Sequence, residues 1–91
     1  MGIVNIVKNV KLIHKDYVVL VRVGKFYNCY GRDSYIISYL LNYRINIIND
    51  NIYNCSFPQS AYNKVLSILE RNKINYIILD KRNNYEVEEK S

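Results

Sequence analysis

Tryptophan is absent from this 91-residue chain, proline and histidine occur once each, cysteine twice and glycine three times. Each scarcity removes a class of function. The glycines stand far apart, so there is no glycine-rich loop to cradle phosphates. His14 has no serine, cysteine or carboxylate in a recognisable nucleophile context beside it, which argues for capping or packing and against a catalytic triad. Cys29 and Cys55 lack metal-site spacing and are expected to be reduced, buried thiols. Asp16, Asp33, Asp50, Glu70 and Asp80 are scattered over different predicted elements, whereas a metal-dependent nuclease needs its carboxylates clustered. No apolar run approaches the ~18 residues that span a bilayer. The N-terminus also lacks the charged lead and small-residue cleavage site of a secretory signal. These absences imply a cytoplasmic, non-enzymatic protein with no metal, no cofactor and no membrane partner.

What is abundant is apolar residues, at 49%, well above the content of a disordered chain, and the length allows one domain with a modest core. Ten tyrosines suit half-buried strands and stacking surfaces, because each hides a ring and keeps a wet hydroxyl. Charge is uneven. Residues 1–44 hold seven Lys/Arg against two Asp, residues 45–82 five against three acids, and residues 83–91 one against three. The basic first half permits phosphate contacts, and the acidic end reads as a polar tail.

Periodicity assigns the elements. Ile3, Ile6, Val7, Val10 and Ile13 recur at helical spacing, with Lys8, Lys11 and Lys15 on another face, although the β-branched residues leave a strand as the competing reading. Tyr17 to Val23 is an almost continuous β-branched run, as in a central strand covered on both faces. Gly24-Lys25 punctuates it before a second short strand, Phe26 to Tyr30, that pairs with it as a hairpin. Asp33 is placed to cap a helix from about Ser34 to Asn42 that buries Ile36, Ile37, Leu40 and Leu41. Ile45 to Ile48 and Ile52 to Ser56 flank the turn Asn49-Asp50-Asn51. Pro58 sits where the next helix begins, and Ala61, Val65, Ile68 and Leu69 form its apolar stripe. Asn72-Lys73 ends that helix, Tyr76 to Leu79 is a buried strand, and the remainder is frayed or starts a further helix. The order α-β-β-α-β-β-α-β predicts an α/β (α+β) fold: a mixed sheet of about five strands covered by about three helices. The domain is expected over residues 1–82 and the acidic tail over 83–91.

The stretch Arg22-Val23-Gly24-Lys25-Phe26-Tyr27-Asn28 places an aromatic pair just after a tight turn, between cations. A phenylalanine pushed forward there suits a wedge between base steps, with cations on the flanking phosphates. The competing reading is that Phe26 and Tyr27 simply alternate in and out of a strand, one of them in the core.

His14-Lys15-Asp16, the apolar strand after it and Arg22-Val23-Gly24-Lys25-Phe26-Tyr27 resemble a pattern of the MutS mismatch-repair family. In that pattern a helix-ending His-Pro-Asp/Glu leads through a strand to Arg-Met-Gly-Asp-Phe-Tyr-Glu. Gly31-Arg32-Asp33-Ser34, Ser56-Phe57-Pro58 with Ala61, Leu66 and Leu69, and Tyr76-Ile77-Ile78-Leu79-Asp80 are similar to later parts of its N-terminal, mismatch-contacting domain. The resemblance covers about residues 5–82. It implies that Phe26 stacks on a mispaired base from the minor groove, and that Asn28 stands where the family has a base-bonding glutamate. Asn28 is shorter and uncharged, and closer to relatives that act as the non-reading partner of a heterodimer. Lys25 replaces an acidic residue of the bacterial pattern.

The reading that follows is a non-catalytic nucleic-acid-binding module, duplex DNA favoured, contacted by Phe26, Asn28, Lys25, Arg22 and Tyr27. A stand-alone domain of this kind is expected to bind weakly. The alternative is a protein-interaction or scaffold module, with a protein partner or a second copy, that keeps the fold without mismatch recognition.

Overall fold

Val18 to Val21 are all essentially inaccessible, as a strand sandwiched between two layers requires. They belong to β1 (Val18–Val23), which lies between β2 (Phe26–Tyr30) and β5 (Tyr76–Asp80) in a six-stranded mixed sheet. The computed structural model describes residues 2–49, 52–83 and 88–90. Its remaining elements are α1 (Ile3–Ile13), α2 (Arg32–Leu41), β3 (Ile45–Asn49), β4 (Ile52–Pro58), α3 (Tyr62–Arg71) and a short β6 (Glu88–Lys90). The strand order is β3-β4-β2-β1-β5-β6, with β1 and β5 parallel and the other neighbours antiparallel.

Side-chain alternation divides the apolar residues into two cores. On one face α1 contributes Val7 to a cluster with Val19, Val21, Ile77 and Leu79. On the other, Val18, Leu20, Tyr27, Cys29, Cys55, Phe57 and Tyr76 meet Ile37 of α2 and Val65 and Leu69 of α3. One helix therefore covers the first face and two cover the second. Because α1 packs over β1 and β5, the β2 and β4 part of its face carries more polar and exposed side chains.

Two glycines shape the chain around β2. Gly24 has φ 61°, and with Lys25 it closes a two-residue loop between the paired Val23 and Phe26. A positive φ at the first loop position is the requirement of a type II′ hairpin turn. Gly31 has φ 59° and ψ −131°, and turns β2 directly into α2. Asn42, at φ 61°, ends α2 in the left-handed conformation that asparagine tolerates.

Four sequence expectations need correction. Asp33 does not cap α2: Gly31 holds that position, and Asp33 lies inside the helix with its side chain 2% exposed. Ile13, placed in the apolar stripe of α1, is 78% exposed because the helix ends beyond the sheet's cover. Pro58 ends β4 and precedes a 3₁₀ turn, Gln59–Ala61, so the α-helix starts a turn later than expected. Residues 88–90, read as frayed or helical, pair antiparallel with β5 as the edge strand β6. The Asn49-Asp50-Asn51 turn has its last two residues outside those described, although β3 and β4 pair antiparallel around it.

Candidate nucleic-acid interface

The hairpin register decides which of the predicted contact residues share a surface. Val23 pairs with Phe26, Arg22 with Tyr27 and Val21 with Asn28. Directly opposed residues point to the same face, so Phe26 and Asn28 project on the α1 side and Tyr27 and Arg22 on the other. Phe26 is 51% exposed and has β-partners on both sides, Val23 and Pro58. It is a large ring held in the open by a three-stranded support.

Around it lies a patch that no sequence motif announced. Asn28 pairs with Ser56, and Tyr30 with Asn54. Asn54 Nδ2 donates to Asn28 Oδ1 at 3.2 Å, which orients the Asn28 amide. Asn46 on β3 pairs with Asn54 and is exposed on the same face. The α1 side of β2, β4 and β3 is thus a polar strip of amides and a hydroxyl, with Phe26, Val23 and Pro58 at one end. The signal for it was the polar alternation of Asn54 and Ser56 with the buried Cys55 and Phe57, legible only once β4 is known to pair with β2.

Tyr27 goes elsewhere. It is 7% exposed, and its ring stacks on Phe57 at a centroid distance of 5.5 Å and on Tyr62 at 4.8 Å. Of the two readings of the aromatic pair, alternation through the strand describes both: one ring is core and the other is surface. Tyr27 is therefore not positioned as a nucleic-acid contact.

Arg22 is not a flanking cation of the Phe26 surface either. Its Nη2 donates to Gln59 Oε1 at 2.8 Å and its Nε to the Gly24 carbonyl at 3.2 Å, while Nη1 lies 3.9 Å from Asp80 Oδ2. Asp80 also accepts from Arg82, whose hydrogen bonds, joined by the charge of Arg22, hold the Asp80 carboxyl below the usual carboxylate range. The guanidinium of Arg22 braces the hairpin from behind. Lys25 in the turn is exposed, and its carbonyl accepts from the Gln59 N–H at 2.8 Å, fixing the turn to the segment after β4.

The lysines of α1 divide in the same way. Lys8 and Lys15 are exposed. Lys11 Nζ donates to the Tyr17 carbonyl at 2.6 Å, Asp33 Oδ1 at 3.0 Å and the Lys15 carbonyl at 3.2 Å. Three acceptors use the whole donor capacity of an ammonium. Asp33 Oδ2 in turn accepts from the Val19 N–H at 3.0 Å. This buried carboxylate joins α1, β1 and α2. Its pKa is raised, because burial outweighs the Val19 hydrogen bond and the Lys11 charge that oppose it.

Little else supports chemistry. Cys29 and Cys55 face each other across β2 and β4 as free, buried thiols, and Cys29 Sγ donates to the Cys55 carbonyl at 3.4 Å. The hydrogen bond between the two cysteines, added to burial, pushes the Cys29 thiol far up, so it stays protonated. His14 C-caps α1 and packs edge-on against Tyr17. Among the described residues, no three His, Cys, Asp or Glu side chains group as a metal site. No described helix is long and apolar enough to cross a membrane.

Fold and site together define a small α/β module that holds an aromatic ring and a row of amides on a half-open sheet face. The family described as MutS domain I matches residues 1–88, and the chain belongs to that family. Similar curated proteins are the DNA mismatch repair protein MSH3 of Vanderwaltozyma polyspora and that of Saccharomyces cerevisiae strain YJM789. Each is 33% identical over 61 residues, which is 62% of this chain and 6% of the relative. The matched region is thus a small part of a much longer repair protein.

Proposed function

We propose that the open half-face of the sheet binds nucleic acid, duplex DNA in preference, without catalysis. The observation that carries this reading is the placement of Phe26. An aromatic ring half out of the core costs hydration unless something covers it, and here it sits at the end of a hydrogen-bonding strip. Phe26 acts as the wedge that stacks on an unpaired or mispaired base. Asn28, oriented by Asn54, contacts the edge of that base, and Lys25 holds a neighbouring phosphate. Membership of MutS domain I and likeness to two proteins named for DNA mismatch repair support the choice of DNA. Asn28 offers an uncharged amide, so discrimination between matched and mismatched duplex is modest.

Fluorescence anisotropy with matched, mismatched and bulged duplexes at two salt concentrations tests this. Binding at low salt that weakens about tenfold in Phe26→Ala supports the wedge, since a stacked base is worth about 1–3 kcal/mol. No binding at low salt, or equal binding by the variant, removes it.

A protein-binding role is the second reading, favoured by Tyr35 and Tyr39 of α2, which are 51% and 86% exposed. Self-association in light scattering that Tyr39→Ser abolishes supports a second copy as the partner. A strictly monomeric protein that also captures no partner from its own cell extract contradicts the protein-binding reading.

A further inference from the structure

A second concave surface lies on the α1 side of the sheet, at the opposite end of β2 from Phe26. It is a groove of about 770 Å³ between α1, the β2–α2 junction and the start of β4. Its apolar lining comes from Val4, Val7 and Leu12 of α1, with Tyr30 and Ile52 across from them. Leu12 is 76% exposed beside this lining, so the groove carries a large uncovered apolar side chain at its rim. Lys8, Lys15 and Arg32 are the exposed cations of the lining, and no acidic side chain faces them among the described lining residues. The fourth cation, Lys11, is committed to Asp33 and two carbonyls, so it fixes the groove's wall and adds little free charge.

We propose that this groove docks an acidic amphipathic segment of a partner protein, presented as a short helix. Charge complementarity selects the sign: three exposed cations around an apolar floor call for carboxylates flanking apolar anchors. The floor selects a peptide over a nucleic-acid backbone, because a phosphate chain brings no apolar group to displace water from Leu12, Ile52 and Tyr30. The length also suits a helix. Val4 to Leu12 spans roughly 12 Å along α1, and apolar anchors at i, i+4 and i+7 of a docked helix span about 10 Å. Tyr30 lies four residues along β2 from Phe26, roughly 13 Å away, so a docked segment leaves the wedge uncovered. The module then joins a protein partner to whatever Phe26 contacts, and the groove does not depend on the nucleic-acid reading.

The probe is a fluorescein-labelled peptide with leucines at i, i+4 and i+7 on a glutamate-rich background. Two controls accompany it, one with lysine for glutamate and one with serine for leucine. We expect the acidic leucine peptide to bind about tenfold more tightly than either control. Its NMR shift changes centre on Val4, Leu12, Tyr30 and Arg32. Leu12→Glu and the pair Lys8→Glu with Arg32→Glu, all at exposed positions, weaken it about tenfold with unchanged circular dichroism. Phe26→Ala leaves it unchanged, which separates this test from that of the wedge. Equal binding of the acidic and basic peptides, no binding, or shift changes centred outside the groove overturns the proposal. So does sedimentation showing that a second copy of the chain fills the groove, or displacement of the peptide by a duplex from the Phe26→Ala variant.

Discussion

Phe26 and Tyr27 are sequence neighbours with opposite physical roles, and substitution separates them. Tyr27 is stacked between Phe57 and Tyr62, so Tyr27→Ala is expected to destabilise the fold by about 3–5 kcal/mol, as emptying an aromatic core site does. Phe26→Ala removes a half-exposed ring, so urea denaturation should register less than about 1 kcal/mol while duplex affinity falls. If Phe26→Ala unfolds the protein as readily as Tyr27→Ala, the ring is structural and the wedge is wrong. The same alternation explains the misplacement of Arg22. In sequence it flanks Phe26, but a hairpin closed by Gly24-Lys25 puts residue 22 opposite residue 27, on the far face. Charge near a motif in sequence does not establish charge near it in space.

At the scale of elements, the link between α1, β1 and α2 runs through Asp33. Asp33→Ala leaves the buried Val19 N–H without its acceptor and one Lys11 proton without a carboxylate, a loss of about 2–3 kcal/mol in denaturant titrations. Asp33→Asn keeps an acceptor for Val19 and has no titration, so it isolates the pH effect. The folded carboxyl holds its proton to a higher pH than the unfolded value of 3.8. Its stabilising contribution is therefore fully present below that value and is lost as pH rises through the folded pKa. The stability of the native protein relative to Asp33→Asn should fall as pH is raised from about 4 towards neutrality. A difference that grows with pH over that window would show that the Lys11 pair, and not burial, dominates. Gly31 is the other control point between elements. Its φ of 59° with ψ −131° is a backbone conformation that strains any residue with a Cβ, so Gly31→Ala should cost about 1–2 kcal/mol without touching a core contact. A stability unchanged from the native protein in urea would contradict that.

Most of the architecture was legible because it rests on local period. The β-branched run from Val18, the stripe of α3 and the two-residue punctuation at Gly24-Lys25 each specify an element without tertiary help. What escaped depends on distant partners. A residue at a helix start reads as a cap, yet Asp33 bonds Val19, 14 residues back. Ile13 has the right spacing for the apolar stripe, but the sheet does not extend under it. β6 forms because β5 presents an open edge, which the acidic sequence of residues 83–91 gives no hint of. The Asn28, Asn54 and Ser56 strip needed the β2–β4 register, although Phe26 and Asn28 themselves stood out from the chain.

Over the whole molecule the excess of basic residues overstates the charge available to a phosphate. Lys11 and Arg22 are spent inside the protein, and Lys8, Lys15 and Arg32 line the groove at the other end of β2 from the wedge. Binding at the Phe26 face should therefore depend weakly on salt, with a log–log slope of about −1 to −2 for one or two phosphate contacts. A slope several times steeper would place the duplex across α1 as well. If nucleic acid meets the half-open face of β2 and β4, backbone NMR during titration with a mismatched duplex reports it residue by residue. We expect shift changes concentrated at Val23, Lys25, Phe26, Asn28, Asn54 and Ser56, with Tyr35 and Tyr39 on the opposite layer unmoved. Changes centred on α2, or spread evenly over the surface, would contradict it.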